Sequence, residues 1–253
     1  LRVPILVRGQ GFVRLFINYV SFVFSASLWG IWLLRGRSFD AIFVNQLSPV
    51  TIGLPAILFG RIKKVPVVLW VLDLWPETLS AMGVVRSPVV IGLIGRMVGF
   101  IYNRCEMVLG QSRRFLPNIA KYGTELKTIR YFPSWSEELF SMIDVEKAPE
   151  ILEDSEVFTV LFAGNVGEAQ DLPAILDAAE RLKAYTNIRW VIVGDGRASD
   201  WLSAEVKQRG LDGHIFMVGR FPVQRMPSFY AHANALLVSL KRDPVFSMTI
   251  PGK

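Results

Sequence analysis

The sequence predicts an α/β protein built from two successive parallel-sheet halves. Short β-rich runs alternate strictly with helix-length segments, the arrangement of a doubly wound sheet. One strand, Val65 to Val71, is a continuous apolar run, as expected of a strand covered on both faces. Half of the 253 residues (51%) are apolar and only 20% are charged, which excludes a disordered or low-complexity chain.

The elements follow in order. Phe39 to Asn45 (FDAIFVN) reads as a strand, and Ser48-Pro49 begins a helix running to Ile62. Val65 to Val71 (VPVVLWV) is a buried strand. Ser87-Pro88 starts the next helix, with Pro in the first turn, and that helix extends to about Asn103. Glu106 to Gly110 is strand, Arg113 to Tyr122 helix with Gly123 as C-cap, and Lys127 to Phe132 strand. Pro133 to Ser155 is rich in acids, holds two prolines and lacks a strand pattern, so it reads as a linker between domains 1–132 and 156–253. The second domain repeats the alternation. Strands are expected at 157–163, 188–193, 214–218 and 233–239, and helices at 171–185, 198–209 and 223–232.

The segment before the first strand is different. From Phe16 to Leu34 there are 19 residues without a charge, the length of a membrane-span candidate. Yet Arg14, Asn18, Ser21 and Ser25 line one helical face, while the rest carries Phe, Tyr and Trp. Arg8, Arg14, Arg35 and Arg37 flank it, a composition suited to a membrane interface. A helix buried between layers and a true span remain as alternatives. The net charge is +6 and the mean hydropathy +0.36. The basic residues are interleaved with aliphatics rather than clustered, which favours an anionic membrane surface over nucleic acid.

One cysteine, Cys105, excludes an intramolecular disulfide framework, and its apolar junction reads as core. Two histidines, His214 and His232, make a zinc site improbable. There is no Walker GK[ST], no HExxH, no GxSxG and no DxD for a cation holding a diphosphate.

In open parallel sheets ligands bind at the carboxyl ends of strands, so those ends carry the candidate chemistry. The first strand of the second half ends in Gly164-Asn165-Val166-Gly167-Glu168, where glycines admit close approach and a helix follows. A tight turn without a ligand would read the same way. The next strand ends in Gly194-Asp195-Gly196-Arg197, which is not a dinucleotide fingerprint because Ser199 stands at the third glycine position. Arg220 follows the third strand, and Lys241 and Arg242 the fourth, charges suited to a diphosphate. In the first half, Asp73-Leu74-Trp75-Pro76-Glu77 places two carboxylates beside an apolar wall. Burial would raise them toward a useful general-base value, or they could serve only to start the next helix.

The run SPVTIGLPAILFGRIKKVPVVLWVLDLWPETL is similar to the first-domain motif of bacterial group-1 glycosyltransferases (family 4, GT-B fold). More narrowly it resembles the branch that builds O-antigen, capsule and colanic acid, including L-fucosamine transferases. FPSWSEELF resembles that branch's inter-domain segment. VLFAGNVGEAQDL, VIVGDGRASDWL and FMVGRFPVQRMPSFYAHANALLVSLKRDPVFSMTIPGK resemble its donor-binding domain in order.

The resemblance implies a GT-B architecture of two Rossmann-like domains facing a cleft. It implies transfer of a sugar from a nucleotide diphosphate, a UDP-N-acetyl-amino sugar, to a lipid-linked saccharide in surface polysaccharide synthesis. Configuration would be retained, with no metal and no cofactor. Domain 1–132 would hold the acceptor and domain 156–253 the donor. Gly164, Asn165, Gly167, Glu168, Gly194 and Thr249 would contact the donor, and Arg220, Lys241 and Lys253 would offset its charge. Asp73 and Glu77 would face the acceptor. The implied location is cytoplasmic, peripheral on the inner face of the cell membrane. The rival expectation is a catalytically inactive Rossmann-type module that docks on membranes or partners. Two departures stand out: TIPGK lies where a Glu-x7-Glu motif would begin, and the glycine loop that opens the first domain is missing. With Leu1 first and Pro251-Gly252-Lys253 last, the sequence is expected to be a piece of a longer chain, both domains being incomplete.

Overall fold

The computed structural model describes residues 2–7, 12–123, 125–136, 138–141 and 145–251. The chain divides into two compact units, Leu1–Ser134 with Ser247–Ile250, and Trp135–Phe246 with Pro251–Lys253.

The first unit opens with helix α1 (Phe12–Leu34). Strand β1 (Ile42–Gln46), helix α2 (Gly53–Lys63), strand β2 (Val67–Val71), the short helix α3 (Glu77–Ala81) and helix α4 (Pro88–Tyr102) follow. Strand β3 (Met107–Gly110), helix α5 (Phe115–Ala120) and strand β4 (Ile129–Tyr131) complete it. The four strands form one parallel sheet in the order β1-β2-β3-β4. β2 is flanked on both sides, and Val67, Leu69, Trp70 and Val71 are all buried, so its sequence has no polar side to show. Val98, Ile101 and Tyr102 of α4 and Phe115 and Ile119 of α5 are buried with it. Gly123 adopts φ +79 in the turn after α5, a conformation favoured by glycine.

α1 is docked on α2 by two devices. A Cβ at Gly30 would lie 2.5 Å from the Phe59 ring, so the glycine lets the helices approach closely. The Lys63 ammonium donates to the carbonyls of Leu34, Arg35 and Arg37 at 2.7, 3.0 and 2.8 Å, satisfying the open C-terminal end of α1. On its polar stripe, Asn18 donates to the Leu6 carbonyl, and the Ser21 hydroxyl accepts from the Leu6 amide. On its outer face Val13, Phe24, Leu28, Trp29 and Trp32 are exposed. The span 13–34 is long and apolar enough to cross a membrane, and only 11% of its apolar window is buried within the structure. α1 is therefore not the helix buried between layers that stood among the alternatives.

The second unit contains strand β5 (Phe158–Ala163), helix α6 (Leu172–Arg181), strand β6 (Ile188–Val193) and helix α7 (Ser199–Gln208). Strand β7 (Ile215–Gly219), helix α8 (Met226–Tyr230) and strand β8 (Ala235–Leu236) follow. They form a second parallel sheet, β7-β6-β5-β8. Alternate residues serve opposite faces. Phe162, Trp190 and Ile192 join α6 and α7 in one core, whereas Leu161, Val191 and Val193 pack with Phe229 on the other side. Ala148 and Ile151, in the stretch expected to be linker, are buried in this second core.

The expected elements are present, with three differences. β8 is two residues long instead of the expected 233–239, because only Ala235 and Leu236 find register partners, in Val160 and Leu161. The segment 223–232 begins as a 3-10 turn (Val223–Arg225) before α8. α3 was not expected as a separate helix.

Candidate functional site

In the second unit the carboxyl ends of β5, β6 and β7 are knitted together by their own backbones. The Gly164 amide donates to the Val193 carbonyl, the Gly194 amide to Gly219, and the Val166 amide to Asp195. These loops approach so closely that glycine is required. A Cβ at Gly194, where φ is +143, would fall 1.8 Å from the Gly164 carbonyl oxygen. One at Gly196 would fall 2.2 Å from the Val166 oxygen. The glycines thus first serve loop-to-loop packing, and their smallness leaves a concavity above the strand ends.

That concavity, about 310 Å³, is lined by Gly164, Asn165, Gly194, Asp195, Arg220 and Phe221, with Val193 and Met226 behind. Four residues singled out by sequence, Gly164, Asn165, Gly194 and Arg220, therefore share one cavity. Arg220 is exposed and makes no ion pair with a described residue. Asp195 is held as a carboxylate: Ser199 and the Gly196 amide donate to its Oδ1, and Arg220 adds its charge, so its pKa lies below the ordinary range.

Glu168 and Lys241 line a neighbouring cavity of about 320 Å³ with Arg197 and Trp201. The Lys241 amide donates to the Ala169 carbonyl, pinning the chain after β8 to the loop after β5. Its ammonium is 3.9 Å from a Glu168 carboxylate oxygen, a loose, solvent-facing pair. Gly167 is not among the residues lining either cavity. It is extended at φ −138, beside the Asn165 amide. Thr249 lies in the segment Ser247–Ile250 that clusters with the first unit, and Lys253 lies outside the described residues. Phe221, Met226 and Trp201 went unnoticed in the sequence, because apolar side chains carry no chemical signal until the fold places them.

In the first unit, Asp73 follows β2 and both its carboxylate oxygens are engaged. Thr78 Oγ1 donates to Oδ1 at 2.6 Å and Trp75 Nε1 to Oδ2 at 3.1 Å. Burial raises its pKa and outweighs these hydrogen bonds. Glu77 is engaged elsewhere: Tyr122 Oη donates to its Oε1 at 2.8 Å, while Oε2 is buried without a partner. Burial and the Glu77 charge raise the Tyr122 pKa. The two carboxylates thus do not share one proton site. Asp73 ties down the turn between β2 and α3, and Glu77 ties the start of α3 to the turn after α5. Cys105 is buried, and its thiol is pushed up to about 12, the state of a core residue. Among the described residues, no three His, Cys, Asp or Glu side chains gather as a metal would need.

Known proteins place these observations in context. Residues 144–250 match the family of group 1 glycosyl transferases. The chain is 30% identical over 151 residues to the putative colanic acid biosynthesis glycosyl transferase WcaI of Escherichia coli K12. That match covers 56% of this chain and 35% of WcaI, so the chain spans about a third of its relative. HepE of Anabaena, solved with UDP and glucose, superposes at a TM-score of 0.64 with 14% identity, covering 88% of this chain and 58% of HepE. A UDP-N-acetylglucosamine 2-epimerase superposes at 0.56 with 12% identity, covering 86% of this chain and 55% of the epimerase. Two parallel-sheet units of this kind are the GT-B fold, and the epimerase shows that this fold also hosts other chemistry.

Proposed function

We propose that the chain is part of a retaining glycosyltransferase that moves a sugar from a UDP-linked donor, a UDP-N-acetyl-amino sugar, to a lipid-linked saccharide. The enzyme works at the inner face of the cell membrane in surface polysaccharide synthesis. The observation that carries this reading is the cavity of Gly164, Asn165, Gly194 and Arg220, which lies inside the stretch matching group 1 glycosyl transferases.

The reaction breaks the bond between the sugar's anomeric carbon and the diphosphate oxygen, and forms a bond from that carbon to an acceptor hydroxyl oxygen. The hydroxyl proton passes to the departing diphosphate. Negative charge therefore develops on the diphosphate. Arg220, which follows β7, and Lys241, which follows β8 at the opposite edge of the sheet, supply the positive charge that offsets it. The glycine-lined loop after β5 lets a diphosphate approach the backbone. The resemblance also implies donor contacts from Thr249 and Lys253. Asp73 and Glu77 act on the acceptor side as positioning residues, since their oxygens hold Trp75, Thr78 and Tyr122.

Calorimetric titration of UDP into this chain, with NADH as control, tests the donor site. Micromolar binding of UDP alone is expected, weakened about tenfold, or ~1.4 kcal/mol, by Arg220→Ala or Lys241→Ala. Unchanged affinity in both variants would remove the site assignment. The bare apolar face of α1 favours one second reading, an inactive membrane-docking module. That reading wins if vesicle binding is retained and UDP binding is absent, both here and in a longer chain.

A further inference from the structure

The stretch 147–154 reads in sequence as part of an acidic linker, yet the fold straps it onto the second unit. The Ala148 amide donates to the Ser228 carbonyl at 3.1 Å, and Nε2 of the buried His232 lies 2.8 Å from the Ala148 carbonyl. Arg189 Nη1 donates to the Leu152 carbonyl at 2.8 Å. Ala148 and Ile151 share a core with Phe229, and Phe221 and Met226 pack against that same core. Phe221 and Met226 also line the cavity at the carboxyl ends of β5, β6 and β7. The strap thus lies behind the cavity wall, and none of its own residues lines that cavity.

Arg225 makes the most specific connection between the two. Its Nη2 donates to both carboxylate oxygens of Glu150, at 2.8 and 3.1 Å. The same guanidinium stands 5.4 Å from the Phe221 ring centroid and 5.5 Å from that of Phe229, within cation–π range. The two rings meet at 4.7 Å. Phe229 is fully buried, so the core fixes it. Phe221 is only partly buried and borders the cavity, so fewer neighbours hold its ring. An unanchored arginine would spread over many rotamers rather than stay above two rings. Glu150 supplies the anchor. A planar guanidinium can face the rings while its edge donates to a carboxylate, which a compact ammonium cannot do.

We propose that Glu150 and Arg225 form a bracket that positions Phe221 as a wall of the donor cavity and so sets the affinity for the base of the nucleotide. Both are positioning residues, acting through Phe221 without touching the ligand. An aromatic face suits a flat heterocycle, whereas a diphosphate gains nothing from it. The identity of that heterocycle, uracil, rests on the UDP donor proposed above; the bracket itself does not.

Calorimetric titration of UDP and of inorganic diphosphate into the parent chain and its variants tests the bracket. Arg225→Met keeps much of the side chain but removes its charge and fork. It should weaken UDP about five- to tenfold and leave diphosphate within about twofold. Glu150→Gln should weaken UDP about two- to threefold and also spare diphosphate. In a Phe221→Leu background, Arg225→Met should add no further loss, because its effect passes through the ring. Equal losses of UDP and diphosphate in Arg225→Met would mark a general disturbance of the unit and overturn the bracket. Unchanged UDP affinity in both single variants would overturn it too, as would an undiminished loss in the Phe221→Leu background. The ligand-free chain gives a second readout: hydrogen exchange at residues 219–221 should quicken about threefold or more in Arg225→Met, with β5 still protected. Unchanged exchange there overturns the bracket without reference to any ligand. A parent chain that binds no UDP defeats the donor reading, and quickened exchange in its Arg225→Met variant leaves the bracket standing, so the two failures are distinguishable.

Discussion

The two units carry the same four-stranded parallel sheet, yet they turn opposite surfaces to their surroundings. The first has 16 basic and five acidic residues; residues 135–253 have 12 basic and 17 acidic, a balance of −5. Their helices differ in the same sense. α6 buries Leu172, Ile175, Leu176 and Ala179 at i, i+3, i+4 and i+7 and leaves its charged residues outward. α4 has fifteen residues but buries only Val98, Ile101 and Tyr102, and exposes Val89, Leu93 and Phe100. A shared topology therefore does not dictate a shared surface. α6 of the second unit is charged on its outer face, while α1 and α4 of the first leave large apolar side chains exposed.

The sharpest way to separate the units is to break one alone. Gly194→Ala would drive a methyl into the Gly164 carbonyl at a φ that L-residues rarely adopt. It should cost at least about 4 kcal/mol and unfold the second unit. Denaturant unfolding followed by hydrogen exchange of peptides from each unit would show it, with residues 12–123 still protected. A cooperative loss of both would mean that the units fold as one.

A matched pair of leucines tests the helix comparison directly. Leu176 in α6 is 0% exposed and Leu93 in α4 is 57% exposed. Leu176→Ala should cost about 2–5 kcal/mol. Leu93→Ala should stay within about 0.5 kcal/mol. Equal destabilisation would mean that α4 is a core helix after all. Between these in size, Lys63→Met removes three charge-assisted hydrogen bonds to the end of α1 and should cost about 1–2 kcal/mol. The loss should show as faster exchange confined to residues 12–34.

The same contrast explains what the sequence could and could not disclose. β6 was legible to the residue, because Ile188–Val193 is an apolar run interrupted only by Arg189 and ended by Gly194. The bare side of α4 was not, since a helix with no polar face gives periodicity nothing to orient. β8 was overestimated because apolar character cannot reveal where strand partners run out. Gly164, Asn165, Gly194 and Arg220, which line one cavity, were legible as glycine and polar residues at strand ends. What escaped was the use of Gly194 and Gly196 for loop packing and the separation of Glu168 and Lys241 into a neighbouring cavity. Asp73 and Glu77 were visible as a pair four residues apart, but only the fold shows that Thr78 and Trp75 occupy one and Tyr122 the other. The role of Ala148 and Ile151 as core residues was hidden by the acidic stretch around them.

The smallest expected effect is the most diagnostic of the contrast, because it has opposite signs in the two units. Asp73 has a folded pKa raised by burial, so its protonated form is the stabilising one. That contribution is complete below its ordinary value of 3.8 and is lost as pH rises through the folded value. Acidification from neutral pH toward about 4 should therefore strengthen the first unit at this site. In the second unit, the Ser199 and Gly196 hydrogen bonds depress Asp195, and the Lys147 hydrogen bond and charge depress Glu153. Their contributions are present above the unfolded values and vanish as pH falls through the folded ones. Unit-resolved exchange, corrected for the intrinsic pH dependence, should show protection of the turn at residues 73–79 rising as the pH is lowered toward about 4. Below that, protection around Asp195 should fall. Asp73→Asn should abolish the first trend and leave the second intact. If residues 73–79 instead lose protection on acidification, the Asp73 carboxylate is stabilised where it sits and burial does not dominate its titration.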